Sequence, residues 1–185
     1  YLALHGKVNS YFKDDEFKFY LGLIAITVIS LTVYLVIANG TPIEKTFRNV
    51  AFSILSILTS TGFATADYEL WAPFTSTFFL IMLLLGACAG STSGGVKMIR
   101  YQLLIKNSLV EVKRLLHPNA IVPVRYNGKA VPNEIIAKVS AFVLTYLGIF
   151  AIGSLILSTT GLDLKSSMGS VAACMANIGP GLGQT

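Results

Sequence analysis

Residues 48–65, RNVAFSILSILTSTGFAT, form a helical run without charge after Arg48 that ends in Ser60, Thr61, Gly62 and Phe63. Its helical part, residues 44–58, extends about 22 Å at roughly 1.5 Å per residue, whereas a spanning helix needs about 20 apolar residues. Such a segment can enter a bilayer but cannot cross it. A second short run, residues 165–176, ends in the same manner in Asn177, Ile178, Gly179 and Pro180.

Composition sets the medium. With 54% hydrophobic and 12% charged residues, the chain lies far from soluble proteins, in which roughly a quarter of residues carry charge. An all-α integral membrane protein is predicted. The uncharged runs 19–38, 70–96 and 139–162 are each long enough to cross a hydrocarbon core about 30 Å thick. Without an initiator Met or a signal peptide, the chain is expected to be a piece of a longer protein. The net charge of +5 need not imply nucleic acid, because Lys97, Arg100, Lys106, Lys113, Arg114, Arg125 and Lys129 all lie in one linker. The positive-inside rule makes that linker cytoplasmic, with a basic contact surface for a cytoplasmic partner as a second reading. Cys88 and Cys174 lack metal-type spacing and are expected to be packed free thiols.

Read in order, residues 1–18 form a cytoplasmic lead-in and residues 19–38 a first span, punctuated by Asn39, Gly40 and Pro42. Thr41 and Glu44 have capping-box spacing, with Pro42 at the first helical position of the short helix. After Phe63 the chain returns to the outer surface, where Tyr68 and Trp71 suit the interfacial belt. Residues 73–85 then descend as an apolar helix until GACAGSTSGG, residues 86–95, whose four glycines and three hydroxyls break it. Counted from Trp71, that break lies roughly 22 Å down, where irregular backbone is tolerated only when buried in protein or lining a wet cavity. Residues 96–116 resume as a basic amphipathic helix, and Asn127-Gly128 centres a cytoplasmic hairpin. Residues 134–158 return across the membrane, and residues 159–163 form the outer turn before the second short helix.

An offset of 117 carries Gly62 onto Gly179, Arg48 onto Lys165, Ser53 onto Ser170, Ser60 onto Asn177 and Phe17 onto Glu134. The chain thus holds one complete unit of span, re-entrant helix, glycine stretch and span, and most of another. The expected division is residues 1–18 lead-in, 19–96 one pore repeat, 97–133 basic linker and 134–185 an incomplete second repeat. Carbonyls at the inner end of a half-helix have no helical partner, and a dehydrated cation can supply the missing interaction. The helix dipole favours the same charge. One stretch gives one wall, so four are needed to surround an ion.

GSTSGGVK fails as a phosphate loop, since Val96 stands where Lys is required, and as a hydrolase elbow, since Thr92 stands where Ser is required. No enzyme is predicted. A secondary transporter of another fold and a non-transporting membrane scaffold are the competing readings. The first usually has inverted repeats, whereas both units here run in the same sense.

The motifs TSTGFAT, GACAGSTSGGVK, LHPNA followed by PVRYNGK, and NIGPGLG, in this order, resemble the Trk/Ktr/HKT superfamily of potassium transporters, most closely its bacterial TrkH subunits. The resemblance covers essentially the whole chain. It implies four covalently linked helix, pore-helix, helix units around one pore, of which this chain would hold the third and most of the fourth. It implies K+ as the transported ion with no organic cofactor, and a multi-pass location in the plasma membrane, the bacterial inner membrane. It further implies a homodimer at full length and a cytoplasmic nucleotide-binding regulatory subunit of the TrkA type. By motif, Ser60, Thr61, Gly62 and Phe63, with Asn177, Ile178, Gly179 and Pro180, would be selectivity-filter segments that hold K+ mainly through backbone carbonyls. Gly86, Gly90, Ser91, Thr92, Ser93, Gly94 and Gly95 would belong to the intramembrane gating loop. The pore-facing arginine that the family keeps in its last helix has no position in this sequence.

Overall fold

Helix α1 (Asp15–Asn39) begins where Asp14 accepts hydrogen bonds from the amides of Glu16 and Phe17. It ends at Gly40, whose left-handed backbone lets its N–H reach the Val36 carbonyl. In this computed structural model, which describes residues 14–117, 122–179 and 182, the helix therefore starts four residues before the expected Phe19. The acidic cluster read as lead-in is the cap and first turn, because carboxylates stabilise a helix N-terminus. The rest of that lead-in, residues 1–13, lies outside the described residues.

Helix α2 (Ile43–Leu58) is short, as expected, but the predicted capping box does not form. Pro42 takes the cap position without a side-chain bond, and the Glu44 carboxylate turns instead to Arg48 at 2.7 Å. A guanidinium one turn along gives that carboxylate a charged partner, which competes well with a lone amide. After the glycine stretch and a one-turn helix, Tyr68–Leu70, the Asn39 side-chain amide donates to the Trp71 carbonyl at 2.8 Å. The chain has come back to the end of α1 from which it left, which is the re-entrant course read from the sequence.

Helix α3 (Pro73–Leu84) is fastened by the fully buried Thr75 hydroxyl, which donates to the Tyr68 carbonyl at 2.8 Å. The uncharged run 70–96 is therefore no single span: its helix stops at Leu84, and α4 (Met98–Leu116) begins only after the glycine-rich loop. Strands β1 (Arg125–Tyr126) and β2 (Lys129–Ala130) form the expected hairpin, pairing Tyr126 with Lys129 across Asn127 and Gly128. Both turn residues have positive φ, 47° and 78°, as the favoured two-residue hairpin turn requires. Within LHPNA, residues 118–120 lie outside the described residues. Helix α5 (Asn133–Ser158) ends at Ser158 as read from the sequence, and the expected outer turn opens with Thr159 and Thr160, whose hydroxyls turn back onto the Ile156 and Leu157 carbonyls at 2.7 Å. Helix α6 (Leu164–Ala176) starts from Asp163, whose carboxylate accepts from the Ser166 amide and is held below the usual carboxylate range by Ser166.

Among the described residues, α1 and α5 are long and apolar enough to cross a membrane, and α3 is apolar but shorter. Helix α1 packs on α2, α5 on α6, and α3 touches both short helices. One buried cluster accordingly runs through both repeats, from Leu31 and Ile54 through Phe79 to Phe150 and Ala172. A smaller cluster of Leu103, Val110, Val124 and Ile136 joins α4 and the hairpin to the start of α5. Cys88 and Cys174 are free thiols.

Candidate cation-conducting site

At the inner end of α2 the chain folds back on its own helix. The Ser60 N–H donates to the Ile57 carbonyl at 3.0 Å, and the Thr61 and Gly62 N–H groups donate to the Ser56 carbonyl at 2.9 and 3.4 Å. Ser60 must adopt a left-handed φ of 57° and Gly62 one of 78° to do so. A trans peptide holds its N–H and C=O antiparallel in one plane. Amides that point back at the helix therefore aim the carbonyls of Thr59, Ser60 and Thr61 away from it.

The second stretch repeats this at the level of single bonds. The Asn177 N–H donates to the Cys174 carbonyl at 3.2 Å and the Ile178 N–H to the Ala173 carbonyl at 3.0 Å. These are the bonds of Ser60 and Thr61 moved by 117 positions. Asn177 has φ 56° and Gly179 has φ 88°, again at the equivalent places. By the same planarity the carbonyls of Ala176 and Asn177 point away from α6. Ile57, Leu58 and Ile178 are buried in the one core cluster, whereas Thr61, Phe63, Asn177 and Gly179 are exposed. Pro180 lies outside the described residues.

This geometry revises one expectation. In the last turn of each short helix the carbonyls of Leu55, Ser56 and Ile57, and of Ala173 and Cys174, are not orphaned, since the turn that follows satisfies them, and that of Met175 accepts from the Gly95 N–H. What the arrangement leaves for a cation is the outward row of carbonyls in the stretch itself.

The first stretch carries a side-chain tether for which the second has no equivalent residue. The Ser56 hydroxyl donates to the Phe63 carbonyl at 2.7 Å, and its counterpart by the offset, Ala173, has no hydroxyl. Ser56→Ala should cost about 1 kcal/mol, the usual net worth of one such bond, and loosen only the first stretch. Competitive rubidium and sodium flux in the full-length protein is expected to show a modest fall in rubidium preference, and an unchanged ratio would count against that role for the tether.

The loop of residues 86–95 is closed at its neck. The Gly86 N–H donates to the Val96 carbonyl at 2.8 Å, Leu85 and Val96 form a parallel bridge, and the Met98 N–H reaches the Ala87 carbonyl at 3.2 Å. Inside the loop, Ser93 Oγ accepts from the Ala87 amide at 3.2 Å and meets Ser91 Oγ at 2.8 Å. The Lys97 ammonium reaches the Ser91 carbonyl at 3.0 Å, the Ser91 and Ser93 hydroxyls at 3.1 and 3.2 Å, and the Ser93 carbonyl. Gly90, Ser91 and Thr92 are exposed at the tip.

The far side of the loop lies against α6. The Gly95 N–H donates to the Met175 carbonyl at 3.2 Å, and a Cβ on Gly94 would fall 2.6 Å from that oxygen and 2.7 Å from the Ala176 oxygen. The structure thus brings the glycine loop of one repeat against the inner end of the other repeat's short helix, one residue before Asn177. Two contributors were missed in the sequence. Lys97 closes the motif GSTSGGVK and was open to notice, whereas Glu16, whose carboxylate accepts from the Ala89 amide at 2.7 Å, carried no local signal.

Residues 7–185 match the profile of the TrkH family, described as cation transport protein. The chain is 37% identical over 174 residues to the Trk system potassium uptake protein TrkH of Salmonella typhimurium, covering 94% of this chain and 36% of that protein. It is 35% identical over 187 residues to the potassium uptake protein TrkG of Escherichia coli, covering 100% of this chain and 38% of that one. The crystal structure of the potassium transporter TrkH from Vibrio parahaemolyticus superposes with a TM-score of 0.89 at 34% identity, over 96% of this chain and 38% of the other. The chain spans a little over a third of the length of the relatives it matches.

Proposed function

The chain belongs to the TrkH family of cation transport proteins, and from that premise we propose that it supplies two of the four walls of a potassium uptake pore. Residues 19–96 are the third pore repeat, 97–133 a cytoplasmic linker, and 134–185 most of the fourth repeat. One observation carries this reading: the left-handed residues Ser60 and Asn177, with left-handed glycines two positions on, recur with the same hydrogen bonds at a spacing of 117. A repeated backbone turn whose carbonyls face away from its helix suits coordination by carbonyl oxygens, which replaces the hydration shell of K+. The filter segments are Ser60 to Phe63 and Asn177 to Pro180. Potassium is the cargo, and no enzymatic step or organic cofactor is assigned to the chain.

The loop at residues 86–95 is the barrier below the filter. Its Gly94 and Gly95 rest on Met175 and Ala176, immediately before the second filter segment, which supports that role. The full-length protein is a multi-pass protein of the plasma membrane, a homodimer, and is regulated by a cytoplasmic nucleotide-binding subunit of the TrkA type. The parallel sense of its repeats sets aside a transporter built on inverted ones.

Rubidium flux into liposomes that hold the full-length protein tests the reading. Uptake should prefer rubidium and potassium over sodium, and shortening the loop should raise it severalfold. Flux without ion preference would overturn the filter assignment, and equal flux in shortened and intact proteins would overturn the barrier.

A further inference from the structure

The first turn of α1 lies between the hairpin and the glycine loop. On one side Asn127, at the hairpin tip, clasps Asp15. The Asp15 N–H donates to Asn127 Oδ1 at 2.8 Å, and the Asn127 N–H donates to Asp15 Oδ2 at 3.2 Å. Lys106 Nζ joins the same carboxylate at 2.9 Å and the Arg125 carbonyl at 3.1 Å, while Gln102 Nε2 donates to the Asp15 carbonyl at 3.0 Å. Tyr126 completes the clasp with its hydroxyl 3.4 Å from Asp14 Oδ1. Burial, with the Asp14 and Glu16 charges, pushes that phenol up to about 12, so it remains a donor.

On the other side stands Glu16, only 6% exposed. Its Oε1 accepts from the Ala89 amide of the loop at 2.7 Å and from the Ile99 amide of α4 at 3.1 Å. Ile99 sits in the first turn of α4, where amides have no partner within the helix. A carboxylate is kept from water only where donors compensate it, and charge-assisted bonds from backbone amides do so well. One oxygen thereby ties the loop and α4 to α1. Asp15 and Glu16 are neighbours in one helical turn, so the hairpin grip and the loop grip share a single rigid piece of backbone.

Resting on the reading of residues 86–95 as the pore barrier, we propose that Glu16 is a positioning residue for that loop, and that the hairpin is mechanically coupled to the loop through the Asp15–Glu16 joint. The chemistry required of Glu16 is an acceptor oxygen, because both bonds fall on Oε1. Gln at this position keeps that oxygen and Ala removes it.

The test uses the full-length protein in liposomes with two readouts, rubidium uptake and the rate at which N-ethylmaleimide modifies Cys88 in the loop, followed by peptide mass spectrometry. Glu16→Ala should speed Cys88 modification by about tenfold, in keeping with loss of bonds to a charged acceptor, and should raise uptake. Glu16→Gln, which keeps the oxygen but removes the charge, should stay near the unmodified protein in uptake and fall between it and Glu16→Ala in the rate of Cys88 modification. Asn127→Ala should speed modification by a smaller factor. Modification at the unmodified rate in Glu16→Ala would overturn the proposal, as would Glu16→Gln behaving like Glu16→Ala. If the alanine variant fails to fold, Cys88 modification that stays at the unmodified rate in Asn127→Ala refutes the coupling. A loop-shortened protein with unchanged uptake defeats the barrier reading alone, and Cys88 modification still decides the role of Glu16.

Discussion

Replacing Gly62 or Gly179 with valine will cost the full-length transporter most of its preference for potassium over sodium. Both glycines hold left-handed backbone, at φ 78° and 88°, where an L residue is strained by roughly 1–2 kcal/mol. A strain of that size is worth a factor of about 5–30 in any equilibrium it opposes, so the turn relaxes and its carbonyls leave the row. Among the described residues nothing lies within 4 Å of a Cβ built on Gly179, so crowding by them is not the cause there. Asn177 already occupies the left-handed region, and Asn is among the residues that tolerate it. Gly179→Asn should therefore retain more selectivity than Gly179→Val. Equal rubidium-to-sodium flux ratios for the valine, asparagine and unmodified proteins would remove Gly179 from the filter.

Gly94→Ala should leave ion preference intact and change rate and stability instead. The added methyl would lie 2.6 Å from the Ala176 carbonyl carbon and the Met175 oxygen, which are backbone atoms and cannot swing aside. Relief requires the loop to lift from α6, which lengthens the Gly95 to Met175 bond now at 3.2 Å. Overpacking of this kind costs about 1–3 kcal/mol, and if the loop is the barrier its displacement increases uptake. Gly148→Ala on α5 is the control, since among the described residues a methyl there meets no neighbour within 4 Å. Thermal melting and rubidium flux on the two variants separate the cases. Identical melting of both variants would show that the seam between loop and helix does not exist in the full-length protein.

The contrast between these predictions follows from where each glycine sits. Gly62 and Gly179 are needed for a backbone angle, and that need was legible from a glycine recurring at a fixed offset behind a helix too short to span. Gly94 is needed for a close approach. Its neighbours Met175 and Ala176 lie some eighty residues away in sequence, and the run of glycines and hydroxyls announced a break without naming what it rests on.

Local chemistry likewise decided which boundaries were read correctly. The hairpin at Asn127-Gly128, the end of α1 at Gly40 and the end of α3 before the loop depend on residues within a turn of one another. The capping box failed because Pro42 and not Thr41 holds the cap position, with the Thr41 hydroxyl on Thr46 and Glu44 on Arg48, and the lead-in shrank because Asp14 capped a helix that begins with charged residues.

The sequence by itself determined the membrane class, the two short helices, the repeat at 117 and the glycine break, because helix length, apolar run and turn residue are written in adjacent positions. Only the tertiary structure decided which carbonyls turn away from their helix, that those of Ser56, Ile57, Ala173 and Cys174 are already satisfied by the turn after each helix, and that Glu16 and Lys97 hold the loop. The bonds from Ala89 and Ile99 to Glu16 join residues 73 and 83 positions apart. A hydrogen bond across that distance leaves no period in the sequence, since it depends on how three helices pack and not on the spacing within any one of them.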